Sequence, residues 1–525
     1  MPSARYAVPL LLAIDAGTTV IKAVAFEIDG REVAAVALPN NVQYSAGARA
    51  EQDMSHTWQL AAQALQKLQE ELPRIGRDAV ALSITGQADG TWLVDDTHAP
   101  VGPAILWLDG RSAEVLSTLQ QQGRAQYAAR RTRTQLNTSQ QGVQLRWLQD
   151  HAPERLIRSA WALHCKDWLF LCCTGLARTD LSEGLFTFGN ARTRAYDPEV
   201  LRALGLDKHA HLLPEMVDSL HFYAPLSQQA ALSTGLPAGL PVVLAPLDVA
   251  CATLGSGQLA NGLSHGVSVL GSAGVHTRLY GTLQDAPRKL PKGYLWPIAS
   301  TGIYQAAMPQ MAAALNIDWF AGLLADAGAL LGAPQLPSAQ LLERMETAAS
   351  SAPLGAALFH PFIAEAGERS PLLAPLARAQ FTGLTQSTSL ASLCRAVYEG
   401  LAFSARDAYE AMGRIPEEVC LIGGAARSSL LRQVFANVLQ RPIRLVQREE
   451  VGAAGAAMVA SVTLGLYPDL HSVSAKWMEN SAADVRVLPD ADAAAYDALF
   501  HAYRRGYLHS DSYWKALHQA RTLTT

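Results

Sequence analysis

The chain has 525 residues, 49% of them hydrophobic and 17% charged, with a formal net charge of −4. That length exceeds what one hydrophobic core usually serves, so two or three domains are expected. The small net charge argues against a nucleic-acid or membrane-surface partner, and no apolar run reaches the roughly eighteen residues of a membrane span.

The short apolar stretch near the start ends on Asp15 and is not expected to be a cleaved leader. Residues 10–26, LLLAIDAGTTVIKAVAF, read as two hydrophobic strands joined by a turn of small residues. An Asp-Gly pair at Asp29 and Gly30 then predicts a hairpin into REVAAVAL, which makes a three-strand meander. A helix is expected over residues 54–71, capped by Asp53 or Ser55. DAVALSITGQADGTWLVDDTHAPV predicts two further strands around a loop at residues 86–90. Residues 111–220 read as mainly helical, with Trp147, Trp161 and Trp168 in the core. GLPVVLAPLD, residues 239–248, is a buried strand that ends on an acid.

The design then repeats. HGVSVLGSAGVHTRLYG, residues 265–281, is again strand, small-residue turn, strand. EEVCLIGGAARSSLLRQVFANVLQRPIRLV reads strand, Gly-Gly turn, helix, strand, and VGAAGAAMVASVTLGL is a helix. The repeat predicts two related α/β domains, 1–257 and 258–525, joined near the Gly-rich residues 256–262, with a ligand in the wedge between them. The six cysteines show no paired metal spacing and read as free thiols in a reducing cytoplasm.

The first turn has the parts of an anion site. Gly17 allows close backbone approach, successive amide N–H groups form a concavity, Thr18 and Thr19 add donors, and Lys22 adds positive charge. Asp15 would repel a phosphate unless Mg²⁺, reached through water, lies between them. A plain hairpin with a solvated aspartate is the alternative. A second such turn at residues 271–274 tips the reading towards a nucleoside triphosphate clamped between the domains.

The ordered segments IDAGTTVIKAVAF, ITGQADGTWLVD with PVGPAILWLDGR, CKDWLFLCCTGLARTDLSEG, APLDVACATLGSG, VSVLGSAGV, FIAEAGERSPLLAPLARAQFTGL and IGGAARSSLLRQVFANVL resemble those of the FGGY carbohydrate kinases, over about residues 10–466. The resemblance implies an α/β fold of two ribonuclease H-like domains of the actin/hexokinase type with a cleft between them. It also implies transfer of the ATP γ-phosphoryl to a sugar or polyol hydroxyl, with Mg²⁺. By the same resemblance Asp248 is the catalytic base, and Gln87, Asp89, Trp107, Asp109 and Arg111 line the sugar pocket. Gly17, Thr18, Thr19, Lys22, Gly271, Ser272, Gly423, Gly424, Ala425 and Asn437 hold ATP, and Asp15 holds Mg²⁺ through water. Each role has a structural rival: a helix cap for Asp248, core packing for Trp107, an ion pair for Asp109 and Arg111, and a solvated helix position for Asn437. Gly367, Glu368 and Arg369 are expected to be interface or structural residues.

Three positions depart from the family pattern: Ala245-Pro246-Leu247 stand where glycines often precede the base, Ser272 where threonine is commoner, and Ala88-Asp89 where xylulokinases carry Met-His. The QxDGTWL string is closer to erythritol kinase-like members, and an extra carboxylate suits a short polyol that presents only hydroxyls. A tetritol is therefore slightly favoured, with xylulose as the alternative. Homodimers are common in the family, an expectation by analogy alone. A non-sugar actin-like ATPase would need a peptide-binding or polymerising segment, for which residues 467–525 are too short. A sugar-sensing regulator would need a basic helix–turn–helix, which neither terminus offers.

Overall fold

The computed structural model describes residues 8–288, 293–480 and 485–522. Two mixed sheets carry the molecule. The first contains β1 (Leu10–Ala16), β2 (Val20–Glu27), β3 (Glu32–Pro39), β4 (Ala79–Gly86), β5 (Tyr223–Pro225) and β6 (Pro241–Leu244), in the spatial order β5-β6-β4-β1-β2-β3. The second contains β7 (Gly266–Leu270), β8 (Gly274–Tyr280), β9 (Tyr294–Pro297), β10 (Tyr304–Gln310), β11 (Val419–Ile422), β12 (Ile443–Leu445) and β13 (Val485–Val487), in the order β9-β10-β8-β7-β11-β12-β13. The repeat seen in the sequence is a repeat of topology. An antiparallel meander leads each sheet, and two parallel strands then add beside its first strand: β3-β2-β1-β4-β6 in one half, β10-β8-β7-β11-β12 in the other.

Leu10 to Ile14 have no solvent exposure, because β1 is covered on both faces. Leu10, Leu12 and Ile14 pack with α1 (Met54–Glu71) and α2 (Cys165–Thr174). Leu11 and Ala13 point the other way, as strand alternation requires, into a cluster with α3 (Leu181–Phe188), α4 (Asp248–Gly255) and α7 (Val451–Thr463). The outer face of the second sheet packs on α5 (Leu390–Ala411) and α6 (Ser429–Leu439). Helix α7 follows the second sheet in sequence yet lies on the first, so α4 and α7 join the halves. They cross backbone to backbone. A Cβ at Gly255 would lie 1.9 Å from the Val451 carbonyl oxygen, and one at Gly455 would lie 1.8 Å from that of Cys251.

The expected helix over 54–71 is present, and Asp53 rather than Ser55 caps it, accepting from the His56 N–H. The Asp29–Gly30 turn forms, with Gly30 at φ +93° against Trp477. Trp168 is core, whereas Trp147 and Trp161 are only half-buried; Trp147 stacks on His151 and lies under the Arg111 guanidinium. All six cysteines are free thiols. No helix among the described residues is long and apolar enough to cross a membrane.

Candidate active site

Parallel neighbours end at the same edge of a sheet, so the turns that leave β1, β4 and β6 converge. Backbone bonds hold the convergence: Gln87 N–H donates to the Ala16 carbonyl and Ala245 N–H to that of Ile84. This brings together Asp15, Gly17 and Thr18 from the first turn, Gln87 and Asp89 from the second, and Asp248 from the third. In the other half the parallel strands β7 and β11 likewise bring Gly271 and Ser272 beside Gly423, Gly424 and Ala425. Gly423 has φ +98°, and a Cβ there would lie 2.6 Å from the Leu270 carbonyl oxygen, so the two turns abut only with glycine.

Asp248 does not end the strand. Strand β6 stops at Leu244, Ala245-Pro246-Leu247 form a bridge, and Asp248 is the first residue of α4. It is not that helix's N-cap, a position held by Leu247, and one of its oxygens accepts from the Val249 N–H at 2.7 Å. Burial, then the Asp15 charge, pushes its pKa up to about 7. Burial also lifts Asp15 to about 6, against the pull of Lys22. Asp89 is raised too, chiefly by burial. Asp248 therefore lies within the field of both Asp15 and Asp89, and all three carboxyls are weakened as acids.

Asp89 is held in the left-handed region at φ +63°. Its Oδ2 accepts from the Tyr294 hydroxyl at 2.8 Å, and Asn137 donates to that hydroxyl at 2.6 Å. Its Oδ1 is buried without a partner. Gln87 donates to Gln52 at 2.9 Å and accepts from the Thr18 hydroxyl at 2.9 Å. Trp107 Nε1 donates to that same hydroxyl at 2.8 Å. Thr18 thus ties the first turn to Gln87 and Trp107, and its hydroxyl proton is taken by Gln87.

Three further sets of expected site residues have partners within the chain. Asp109 and Arg111 are a buried structural pair: both Asp109 oxygens are taken by Arg111 and the Ala50 N–H, and Arg111 also reaches Glu51 at 2.7 Å. Lys22 pairs across the halves with Glu450 at 2.7 Å. Asn437 is buried and exchanges two hydrogen bonds with Asp490, which ties α6 to the segment after the second sheet.

Sequence reasoning missed Gln52 and Tyr294, and read Arg369 only as an interface or structural residue. Arg369 donates to the Trp107 carbonyl at 2.8 Å, its guanidinium lies 5.3 Å from the centre of the Trp107 ring, and its charge acts on Asp89. Its neighbour Glu368 is structural as expected, accepting from the Met311 and Arg369 N–H groups. Behind the site, Lys166 bridges Asp167 and Asp180 while Asp180 caps α3. Glu183 is fully buried there with no hydrogen bond to either oxygen among the described residues, His164 Nε2 lying 3.6 Å from one of them, and burial holds its carboxyl well above the usual range.

Asp15 fits a hydrated hard cation. No hydrogen-bond donor reaches its carboxylate among the described residues, and it has room only because residue 452 lacks a Cβ, which would lie 2.3 Å from Oδ2. Among those residues no three His, Cys, Asp or Glu side chains are grouped to hold a metal directly, so a cation here would draw its other ligands from water and phosphate.

Residues 10–255 match the N-terminal domain, and residues 280–464 the C-terminal domain, of the FGGY family of carbohydrate kinases. The chain is 41% identical to the erythritol kinase of Brucella abortus (strain 2308) over 512 residues, 97% of this chain and 98% of that one. It is 27% identical to the L-xylulose/3-keto-L-gulonate kinase of Escherichia coli (strain K12), over 94% of this chain and 95% of that one. A gluconate kinase from Lactobacillus acidophilus shares the fold at TM-score 0.86 and 22% identity, covering 97% of this chain and 100% of the other. The fold is therefore the two-domain, actin/hexokinase-like α/β architecture, and the chain belongs to the FGGY family of carbohydrate kinases.

Proposed function

We propose that this carbohydrate kinase transfers the γ-phosphoryl of Mg-ATP to a hydroxyl of a four-carbon polyol, erythritol first, with the polyol on domain 1–257 and the nucleotide reaching across to domain 258–525. The observation that carries the substrate class is Asp89: a buried carboxylate with one oxygen fixed by Tyr294 and the other without a hydrogen bond among the described residues, whose charge reaches Asp248. Such an oxygen accepts from a hydroxyl and has nothing to offer a ketone. The 41% identity to an erythritol kinase supports the same choice.

In this reading Asp89 and Gln87 orient the polyol, and Trp107 gives its C–H groups a flat wall. Asp248 accepts the proton of the attacking hydroxyl. A group with a pKa near the working pH is suited to that exchange. Because phosphoryl transfer asks mostly for positioning and charge neutralisation, Asp248 also aims the oxygen. The backbone N–H groups at Gly17, Thr18 and Thr19, and at Gly271 and Ser272, take the phosphates. Gly423, Gly424 and Ala425 let the adenosine lie against the chain. Asp15 would hold Mg²⁺ through water, and the ion when bound neutralises phosphate charge.

A coupled ADP-release assay with Mg-ATP tests this against erythritol, threitol, glycerol, xylitol, ribitol, gluconate and the D- and L-xyluloses. The expected result is the highest kcat/KM on a tetritol. A clear rate on xylulose with none on tetritols would overturn the substrate reading and leave the kinase intact.

A further inference from the structure

A cavity of about 1090 Å³ lies away from the carboxylate site and shares no lining residue with it. Its wall comes from both halves: Arg130, Arg131, Arg133 and Arg192 from the first, and Arg288 and Tyr304 among others from the second. Among the described residues no Asp or Glu lines it. Arg131 pairs with Asp197 at 2.6 Å. Among the described residues no carboxylate pairs with Arg130, Arg133, Arg192 or Arg288. In a chain of net charge −4 such a concentration of unbalanced guanidinium is an exception that asks for a counter-ion.

Arg133 is the most constrained of the set. It sits at φ +62°, outside the usual range for a residue with a side chain. Its guanidinium crosses to the other half and donates to the Ala286 and Pro287 carbonyls, while its Nε is buried without a partner. Burial, then the like charges of Arg192 and Arg288, depresses its affinity for its own proton. Arg130, Arg192 and Arg288 are exposed at the rim, with the Arg130 guanidinium 6.0 Å from the centre of the Tyr127 ring. The cavity has the size of a small-molecule site, whereas a nucleic acid would need an extended basic stripe.

We propose that this arginine-lined cavity is a second binding site, which takes a small metabolite bearing two or more phosphate groups. Guanidinium forks match phosphate oxygens bidentately, and several of them around one volume favour a multiply charged ligand over a single phosphate. The site spans the two halves, so its occupant holds them together at a place remote from the carboxylates.

The test is calorimetric titration of the full chain with pyrophosphate and with fructose 1,6-bisphosphate at low ionic strength, for wild type, for Arg192→Glu/Arg288→Glu, and for the milder Arg130→Gln/Arg192→Gln. Wild type should bind at least one probe, more weakly as salt rises. Charge reversal should weaken binding by at least about tenfold, as expected for losing charge-assisted bonds, and neutralisation should weaken it less. Basal turnover without either probe should be unchanged in both variants, since none of these residues belongs to the carboxylate site. Equal binding by wild type and both variants would place the probe on the phosphate turns and overturn the proposal. Absence of binding to either probe at millimolar concentration would overturn it too. Neither outcome bears on the kinase reading.

Discussion

Asp248 and Asp15 store a conflict that their site needs. Both are carboxylates that burial drives upward, to about 7 and about 6, and each raises the other or is raised by a neighbouring acid. A folded-state pKa above the unfolded value means that the folded state binds the proton more tightly. The associated stability is fully present below the unfolded value, near 3.8, and is lost as pH rises through about 7. Asp248→Asn abolishes this loss. In ligand-free protein its Tm should exceed that of wild type at about pH 8, and the difference should shrink towards zero near pH 4. Scanning calorimetry across that range checks it; a gain that is the same at both ends would refute the pKa account. At this scale the sequence was partly legible. Asp15, Gln87, Asp89 and Asp248 sit where parallel strands end, and the strand pattern places them together. What Asp109 and Arg111 do was not legible, because two residues two apart can face a pocket or each other, and only the Ala50 N–H and Glu51, roughly sixty residues upstream, settle it.

The elements that meet between the halves are more informative than the hairpins themselves. Lys22 on β2 reaches Glu450, Asp15 at the end of β1 rests against Gly452, and α4 crosses α7 at Gly255 and Gly455. Neither partner of these pairs is visible from the other in sequence, since about four hundred residues separate Lys22 from Glu450. Helix α6 makes the same point. Its i, i+4 face suggested that Asn437 reaches the nucleotide, but the Asp490 segment covers that face. Asn437→Ala leaves the Asp490 N–H without its acceptor. The variant should lose about 1–3 kcal/mol of stability, read as a lower denaturation midpoint, and keep its KM for ATP within about twofold. A large rise in that KM with unchanged stability would restore the nucleotide role.

For the whole molecule, the repeated topology was legible because small-residue turns between hydrophobic strands recur at residues 15–19 and 271–274. The bridges Asp89–Tyr294 and Trp107–Arg369 were not, for they join loops from opposite halves. These bridges put part of the proposed polyol site under the control of the second half. Closure on ligands follows physically, since water left in the site would compete for the γ-phosphoryl. Small-angle scattering should show a smaller radius of gyration with the polyol and a non-hydrolysable Mg-ATP analogue together than with either alone. Unchanged dimensions would count against closure.

The central claim is that the carboxylate at 248 serves the phosphoryl acceptor. The measurement that tests it most directly is steady-state turnover of Asp248→Ala on the best polyol, paired with ATP affinity by calorimetry. The expected result is a fall in kcat of roughly 10²–10⁴ with ATP binding nearly retained, as for loss of a positioned acid–base group. Near-normal turnover would contradict it.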